Sequence, residues 1–295
     1  MNSFPIIFDK RKVKKNQDNS SLYFDNELYY TKEIRLNLID KLNDINKKFH
    51  SALLLGNESF EIGRILQASH DIKNICYADI SERNINKLQK YTKYNVCFDE
   101  ELLPFKEKTF DLIIANFSLQ WANDLPGTLI QLRKSLKQDG LLLATFPGGS
   151  TLNELRISLA NAEIETSGGV TPRVSPFVDI KDAGNLLVRA GYTLPVAEVD
   201  YYNLEFKNMF TLLNTLKSTG QSNALVARTK NLTPLNFFKK TEKLYIKDFS
   251  LPNNKIKATL EVVTLTGWSP SSNQQKPLPR GSATHSLADF INKGK

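Results

Sequence analysis

The apolar residues of this chain first follow a helical spacing and then a rhythm of short runs. Ile34, Leu38, Leu42 and Ile45 are spaced by four, four and three residues, which predicts one face of a helix over 33–49. Further along, short apolar runs alternate with amphipathic stretches. The runs predict five strands, at 52–55, 75–79, 96–98, 110–115 and 141–146.

The amphipathic stretches between these runs predict the connecting helices. Helices are expected at 60–68, through Ile85 and Leu88, and through Leu129, Leu132 and Leu136 with an end at Asp139-Gly140. Short buried strands that alternate with helices are typical of a parallel, doubly wound α/β sheet. Ligands of such sheets bind beyond the carboxyl ends of the strands, so candidate chemistry is expected there.

The pattern changes after residue 150. It predicts helices at 151–166, 179–190, 208–218 and 233–247, with strands at 196–206 and 257–267. The last run alternates in a way that favours an antiparallel strand. The predicted organisation is an N-terminal helical extension (1–50), a Rossmann-like core (51–150), a helical cap with the last strands (151–268) and an extended tail (269–295).

The net charge of +8 is unevenly distributed. Residues 1–50 carry 10 basic against 7 acidic residues, 51–227 carry 17 against 20, and 228–295 carry 12 against 4. Nucleic acid binds to strongly basic surfaces, so the slightly acidic core predicts no nucleic-acid partner. The basic segment 228–295 is either a solvated surface or a peripheral contact with an acidic protein or a membrane-bound complex.

Composition narrows the class of protein. With 41% hydrophobic and 24% charged residues, the chain is predicted to be globular. No apolar run reaches the roughly 18–20 residues of a membrane-spanning helix, and residues 1–7 do not resemble a signal peptide. Cys76 and Cys97 lie in apolar runs, which predicts buried thiols and a cytoplasmic location. The 3 histidines are scattered, so no metal is expected.

Candidate binding residues follow the first two predicted strands. Leu55, Gly56 and Asn57 form the first turn, where a glycine lets backbone amides approach a ligand; a plain turn is the alternative. Asp79 and Ile80 end the second strand, 23 residues beyond that glycine. An acid at about this spacing accepts hydrogen bonds from both ribose hydroxyls of a nucleotide. Its alternative role is to cap the next helix.

The third and fourth strands end in further candidates. Asp99 and Glu100, with the apolar residues that follow, could hold an adenine ring and its amino group, or form a solvated turn. Asn116, Ser118 and Trp121 follow the fourth strand. A tryptophan there is either a core residue or a stacking surface.

The chain resembles the class I S-adenosylmethionine-dependent methyltransferases in the runs LPFKEKTFDLIIANFSLQWANDLP (103–126) and LKQDGLLLATFPGGSTLNELR (136–156). Within that superfamily, it resembles the methyltransferase-like assembly factor of respiratory complex I. Shorter matches to this factor lie at 175–177, 267–268 and 280–284. The malonyl-acyl-carrier-protein methyltransferase of biotin synthesis is similar more distantly.

The resemblance implies a fold and a cofactor. The fold is a seven-stranded, mostly parallel Rossmann-like sheet with a helical cap, and the cofactor is S-adenosylmethionine, bound by the core 51–150. The residues that it implies for cofactor binding are Leu55, Gly56, Asn57, Asp79, Ile80, Asp99, Glu100, Asn116, Ser118 and Trp121.

Three positions near the first turn depart from the family pattern. Leu54 stands at an acidic position of the family, and Glu58 and Phe60 stand at its second and third glycines. A leucine cannot anchor the ammonium group of the methionine moiety, and a phenylalanine takes up space that a glycine leaves open. The chain therefore retains the adenosine half of the family's site and departs from it in the methionine half.

The resemblance implies an enzyme that modifies a protein substrate, a subunit of complex I. The alternatives are an arginine hydroxylase on the same fold, a malonyl-acyl-carrier-protein methyltransferase, and a non-catalytic assembly factor with a degenerate cofactor loop. Methyl transfer needs chiefly in-line positioning, and the sequence singles out no catalytic base. No histidine is followed two residues later by an acid, so a common iron-binding pattern is absent from the sequence.

Overall fold

A seven-stranded sheet forms the centre of the computed structural model, which describes residues 5–23, 29–56, 59–274 and 281–282. The strands are β1 (Ser51–Leu55), β2 (Asn74–Asp79), β3 (Tyr94–Cys97), β4 (Phe110–Asn116), β5 (Leu136–Pro147), β6 (Thr193–Phe206) and β7 (Ile256–Trp268). Their order across the sheet is β3-β2-β1-β4-β5-β7-β6.

The first five strands are parallel to one another, and β7 pairs antiparallel with both β5 and β6. This arrangement confirms the predicted doubly wound, mostly parallel sheet and its antiparallel last strand. The strand order reverses between β1 and β4, because the chain moves outward to β3 and then returns to the other side of β1. A crevice opens at the carboxyl ends of strands where the order reverses, and the candidate residues lie there.

The described helices flank this sheet and extend beyond it. They are α1 (Lys10–Ser20), α2 (Tyr29–Asn43), α3 (Ser59–Ser69), α4 (Glu82–Leu88), α5 (Leu125–Ser135), α6 (Asn153–Ser167), α7 (Ile180–Arg189), α8 (Met209–Ser218) and α9 (Leu235–Phe249). Within the described ranges, no helix combines the length and the apolar character needed to cross a membrane.

Two apolar clusters cover the two faces of the sheet. Along β1, Leu53 and Leu55 pack into the cluster on one face, and Ala52 and Leu54 pack into the cluster on the other. Successive side chains of a strand point to opposite faces, so a strand covered on both sides reads as a continuous apolar run. This is why β1 could be located from sequence.

The cap is built from α6, α8 and α9. Leu155, Leu212 and Tyr245 of these helices share one apolar cluster with Ile256 and Ala258 at the start of β7. Pro147, the last residue of β5, pairs with Val262, so the beginning of β7 extends past the carboxyl end of β5. The cap therefore lies beyond the sheet edge that carries the candidate residues.

The predicted end of the helix before β5 is wrong. Helix α5 ends at Ser135, and β5 already begins at Leu136, which pairs with Phe110 of β4. The next pair joins Leu112 to Leu141, so the residues between form a bulge, with Asp139 at φ 59°. The Asp-Gly pair marks an irregularity inside a strand, because both residue types tolerate positive φ there as readily as at a helix end.

The prediction of two buried thiols is also wrong. Cys97 is exposed, because β3 ends there, at the edge of the sheet, and not at residue 98 as predicted. Cys76 on β2 is half-buried, and its burial raises the pKa of the thiol to about 11. A strand at the edge of a sheet has a neighbouring strand on one side only. Apolar neighbours in the sequence do not reveal which strand lies at the edge.

Most of the predicted extended tail, 275–280 and 283–295, lies outside the described residues. The described part before it crosses the amino-terminal end of β5. Gln274 Nε2 donates to Asp139 Oδ1 (3.1 Å), and the backbone N–H of Ser269 donates to the carbonyl oxygen of Gly140 (2.8 Å).

Candidate functional site

The turn after β1 depends on Gly56. This residue has φ +100°, and a Cβ atom added to it would lie 2.1 Å from the carbonyl oxygen of Asn116 on β4. A side chain is excluded both by the backbone conformation and by the neighbouring strand, so glycine permits this close approach. Asn57 and Glu58, the next two residues, lie outside the described residues.

Asp79 ends β2 beside this turn. Its Oδ1 accepts a hydrogen bond from the backbone N–H of Ser81 (2.6 Å), and its Oδ2 accepts one from Asn84 Nδ2 (3.3 Å). Densely packed protein surrounds the carboxyl group, and this desolvation raises the pKa of Asp79 to about 7 despite the two hydrogen bonds. The negative charges of Glu100 and Asp18 act in the same direction as burial.

Ser81, and not Asp79, caps the helix that follows β2. The Ser81 Oγ accepts a hydrogen bond from the backbone N–H of Asn84 (3.1 Å), the usual N-cap contact. Capping of this helix, the alternative role considered for Asp79, is therefore performed by Ser81. The Asp79 carboxyl group keeps lone pairs that can face a ligand, since a carboxylate offers about four acceptor positions.

Seven of the ten predicted cofactor residues line one small cavity of about 30 Å³, which we call the cradle. They are Leu55, Gly56, Asp79, Ile80, Glu100, Ser118 and Trp121. Of the other three, Asn116 lines the larger neighbouring cavity, Asp99 lies beside Glu100 in the chain, and Asn57 falls outside the described residues. The carboxyl ends of β1, β2 and β4 thus bring the predicted residues together.

Two polar atoms of the cradle lack partners. Within the described part of the chain, the buried Ser118 Oγ and Trp121 Nε1 atoms make no hydrogen bond. A buried polar group without a partner costs about 1–3 kcal/mol, so such atoms mark places where a ligand supplies the missing bond. Trp121 is 4% exposed and packs edge-on against Phe8, with ring centroids 5.3 Å apart, so it is both a core residue and a cavity wall.

Sequence reasoning missed four residues of the cradle. Ala78, Phe98 and Phe117 are adjacent in the sequence to predicted cofactor residues, whereas Gln17 comes from the distant helix α1. Phe117 has φ 50°, an uncommon conformation for a side chain of this size, and it lines both the cradle and the larger cavity. No pattern in the sequence signals that conformation.

Helix α1 covers the cradle and is held to the acidic end of β3. Lys10 Nζ lies 2.8 Å from Asp99 Oδ1, 3.2 Å from Glu100 Oε1 and 2.9 Å from Glu101 Oε2. Burial lowers the pKa of Lys10, but attraction to Glu100 and a hydrogen bond to Asp99 outweigh it, so the pKa is raised. The acids predicted to hold an adenine amino group are therefore paired with a lysine in this structure.

Residues just before α1 strengthen this attachment. Asn123 Oδ1 accepts hydrogen bonds from the backbone N–H groups of Ile7 and Phe8, both at 2.8 Å. Asp9, the N-cap of α1, forms an ion pair with Arg228 at 2.9 Å. The start of α1 thus joins the loops after β3 and β4 to the segment before α9, with Gln17 facing the cradle.

The polar groups of the cradle fit an adenosine-containing cofactor, whereas its volume in this conformation does not. A space of about 30 Å³ is close to that of a single water, and sites for small ligands usually exceed roughly 300 Å³. Gln17 of α1 is the lining residue that comes from a separate, N-terminal element. We infer that displacement of α1 would enlarge the cradle enough for a cofactor, because α1 contributes a lining side chain and is not part of the sheet.

We predict that Lys10→Met raises the apparent affinity for S-adenosylmethionine about tenfold. The substitution leaves the buried Glu100 without its cation, which destabilises the closed form relative to an open form in which that acid is hydrated. The apparent affinity rises with the fraction of open protein. Calorimetry gives the affinity, and hydrogen exchange of the α1 amides gives the opening.

Lys15→Met is the matched control, because Lys15 is exposed on the same helix. It should leave both the affinity and the exchange unchanged. A fall in affinity for Lys10→Met with no faster exchange of α1 would contradict the covering role and make α1 part of the bound site.

Two of the three departures from the family pattern, Leu54 and Phe60, do not line the cradle, and the third, Glu58, lies outside the described residues. Leu54 is fully buried in the cluster on the sheet face opposite Leu55, and Leu55 lines the cradle. Phe60 is half-buried against Tyr77 and Tyr91, with ring centroids 6.3 and 5.5 Å apart, and lines the larger cavity. Within the described ranges, the structure contains no group of three or more His, Cys, Asp or Glu residues placed to hold a metal ion.

Comparisons with known proteins agree with this geometry. The model of a methyltransferase domain family matches residues 61–144, from α3 into β5. The mitochondrial arginine-hydroxylase NDUFAF5 of Danio rerio is 33% identical over 293 residues, covering 98% of this chain and 91% of that protein. The chain belongs to the NDUFAF5 family. The resemblance drawn from the two sequence runs is thereby confirmed.

Other proteins are similar to this NDUFAF5-family chain at lower identity. The malonyl-[acyl-carrier protein] O-methyltransferase of Methylovorus sp. is 26% identical over 288 residues, covering 94% of this chain and 95% of that protein. A Bacillus halodurans structure assigned as a methyltransferase aligns with a TM-score of 0.53 at 12% identity, covering 80% of this chain and 99% of that one.

The same fold occurs with other chemistry. The [4+2]-cyclase SpnF aligns with a TM-score of 0.54 at 13% identity, covering 92% of this chain and 100% of that one. At such identities the likeness concerns the fold alone, and it confirms the Rossmann-like methyltransferase architecture. The reaction has to be argued from the site.

Proposed function

We propose that this NDUFAF5-family chain binds S-adenosylmethionine in the cradle and modifies a side chain of a protein substrate during the assembly of respiratory complex I. The observation that carries the proposal is the pair of unpartnered atoms, Ser118 Oγ and Trp121 Nε1, in the same cavity as Asp79. Family membership supports the fold and the class of enzyme.

The residues of the cradle would divide the work of binding. The Asp79 carboxylate would accept hydrogen bonds from the ribose hydroxyls, and Gly56 keeps its turn free of a side chain. Ser118 and Trp121 would donate to polar atoms of the ligand. The bound cofactor supplies an activated methyl group on a sulfonium, and the role of the chain is to position the acceptor in line with it.

The affinity for the cofactor is predicted to depend on pH through Asp79. Its pKa of about 7 means that the carboxyl group is ionised above that pH and protonated below it. A carboxylate accepts from both ribose hydroxyls more strongly than a protonated acid does, so the affinity should fall as the pH drops roughly one unit below that pKa. Calorimetry across this range checks the slope, and a flat profile would contradict the role of Asp79.

Arginine hydroxylation is the second candidate, favoured by the name of the relatives that share a third of this sequence. The two reactions differ in product mass, because methylation adds a methylene group and hydroxylation adds an oxygen atom. Mass spectrometry of complex I subunits from cells with and without the protein distinguishes them. A methyl group labelled in the cofactor should appear in the subunit only if methylation occurs.

The decisive experiment for the proposal is calorimetry of the full chain with S-adenosylmethionine, combined with that mass analysis. Binding together with a modified subunit is the expected result. Absence of binding at millimolar cofactor would overturn the methyltransferase proposal, and if the subunits also showed no change in mass, the non-catalytic assembly factor would be left. Rescue of a strain that lacks malonyl-acyl-carrier-protein methyltransferase would instead support the biotin alternative.

The basic segment 228–295 is proposed to make a peripheral contact with the acidic or membrane-bound partner complex. Lys239 and Lys243 are exposed on α9, whereas Lys240 pairs with Glu165 at 2.9 Å. Neutralising the two exposed lysines should weaken partner binding and leave cofactor affinity unchanged. The cytoplasmic location predicted from the sequence stays a proposal that fractionation of cells tests.

A further inference from the structure

A second and much larger cavity adjoins the cradle. It encloses about 1420 Å³, and it shares Phe117 and Trp121 with the cradle. Asn116, at the carboxyl end of β4, also lines it. Sites for single small ligands measure roughly 300–1,000 Å³, so this space suits a longer segment of a substrate that reaches the cradle.

The cap supplies an apolar wall of this cavity. Leu155 and Leu159 come from α6, Leu212 and Leu216 from α8, and Phe238 from α9. These residues belong to the apolar cluster that holds the cap together. One side of an occupant is therefore expected to be apolar, because it removes this surface from water.

The charged side chains that line the cavity are almost all basic. Among the described lining residues, the acidic side chain is Glu61, and the basic ones are Lys32, Arg35, Lys87, Lys90, Arg173 and Lys217. Arg173 is compensated by Glu163 at 2.9 Å. Four of the six basic residues lie within 51–227, a segment that contains more acids than bases, so their side of the basic lining does not follow from composition.

The positions of these cations define where an anionic group would sit. Lys32 and Lys217 are exposed on α2 and α8, and Lys90 is exposed in the turn after α4, so three separate parts of the chain place positive charge at the rim. A cleft with charge of one sign and apolar walls concentrates the electrostatic field, which favours occupants of the opposite charge.

We propose that this cavity binds an acidic segment of the protein substrate, with carboxylates at the basic rim and an apolar side chain against the cap. The inference rests on the proposed function for the nature of the substrate, and on the cavity for its charge. The acidic residues flank the residue to be modified, which enters toward Asn116 and Trp121. Charge complementarity and size select a peptide segment over a single small anion.

Fluorescence anisotropy with two labelled synthetic peptides tests this inference. One peptide carries glutamates on both sides of a leucine, and the other has lysines in place of the glutamates. The acidic peptide should bind the full chain, more weakly as salt increases, and the basic peptide should not. Equal binding of the two peptides would overturn the proposal.

Charge reversal at the rim sharpens the test. The double variant Lys90→Glu with Lys217→Glu should weaken binding of the acidic peptide about tenfold or more. It should also make binding of the basic peptide measurable. The matched control is Lys73→Glu with Lys181→Glu, two exposed lysines outside the cavity, which should match the wild type. If the two double variants weakened binding equally, the peptide would be attracted by the overall charge of the protein and not by this cavity, and the proposed site would be wrong.

Two further measurements separate this inference from the proposed function. Calorimetry with S-adenosylmethionine should give wild-type affinity in both double variants, because none of these lysines lines the cradle. If the wild type fails to bind the cofactor but binds the acidic peptide as described, the proposed function fails and the site stands. If dodecanoate binds with the same dependence on the rim lysines and the acidic peptide does not, the occupant is a small amphiphile and the peptide proposal is wrong.

Discussion

Gly56→Ala is expected to lower the free energy of unfolding by about 3 kcal/mol or more. The φ of +100° is strained for any residue with a side chain, which accounts for roughly 1–3 kcal/mol. The added Cβ would also lie 2.1 Å from the carbonyl oxygen of Asn116, a backbone atom in a fully buried strand that cannot move aside. Thermal unfolding should shift downward by roughly 8 °C for a domain of this size.

Gly149→Ala is the matched control for this prediction. A Cβ at Gly149 would meet no other atom within 4 Å, and its φ lies outside the left-handed range. The change should alter stability by no more than about 0.5 kcal/mol, with a small gain from the reduced entropy of the unfolded chain. A Tm for Gly56→Ala equal to that of this control would show that the turn does not approach β4 as closely as described.

Asp79→Asn is expected to weaken binding of S-adenosylmethionine about fiftyfold. An amide offers one acceptor oxygen where the carboxylate offers two, and the remaining bond loses its charge. Charge-assisted hydrogen bonds contribute roughly 1.5–3 kcal/mol each, which corresponds to a change of this size. Calorimetry should be run roughly one pH unit above the pKa of Asp79, where the wild-type group is ionised.

Stability measurements distinguish this role in binding from a structural one. The raised pKa means that the fold disfavours the ionised form, so removing the charge at this pH should leave Tm unchanged or raise it. Asp248→Asn, an exposed site on α9, is the control and should retain wild-type affinity. If Asp79→Asn lowered both the affinity for S-adenosylmethionine and the Tm, the carboxyl group would have a structural role and not a role in ligand binding.

The central strands β1, β4 and β5 could be predicted from sequence because they are covered on both faces. A continuous apolar run such as Leu53–Leu55 is needed wherever both sides of a strand are buried, and the polar residues that end such runs mark one edge of the sheet. Gly56, Asp79 and Ser118 could therefore be predicted from the sequence as residues at that edge, and the family resemblance assigns them to a cofactor. Exposure at the sheet edge, as at Cys97, depends on strand order and could not be read this way.

The packing of helix α1 could not be predicted from the sequence. Its buried positions Val13, Asn16, Gln17 and Ser20 have helical spacing, but three of the four are polar, so a search for apolar periodicity passes over them. They are buried because the helix packs against polar loops, where Asn16 Nδ2 donates to the carbonyl oxygen of Ser222 (2.8 Å). Hydrogen-bond partners so distant in sequence leave no local pattern.

The sequence by itself determined the alternating α/β architecture, the edge of the sheet where ligands bind and most of the residues of the cradle. These properties follow from local periodicity and from residues that directly follow strands. Only the tertiary structure decided that Lys10 pairs with the acids after β3, that Gln17 covers the cradle, and that a basic, apolar-walled cavity opens beside it. Each of these depends on side chains that are remote in sequence and meet through packing, which no local pattern encodes.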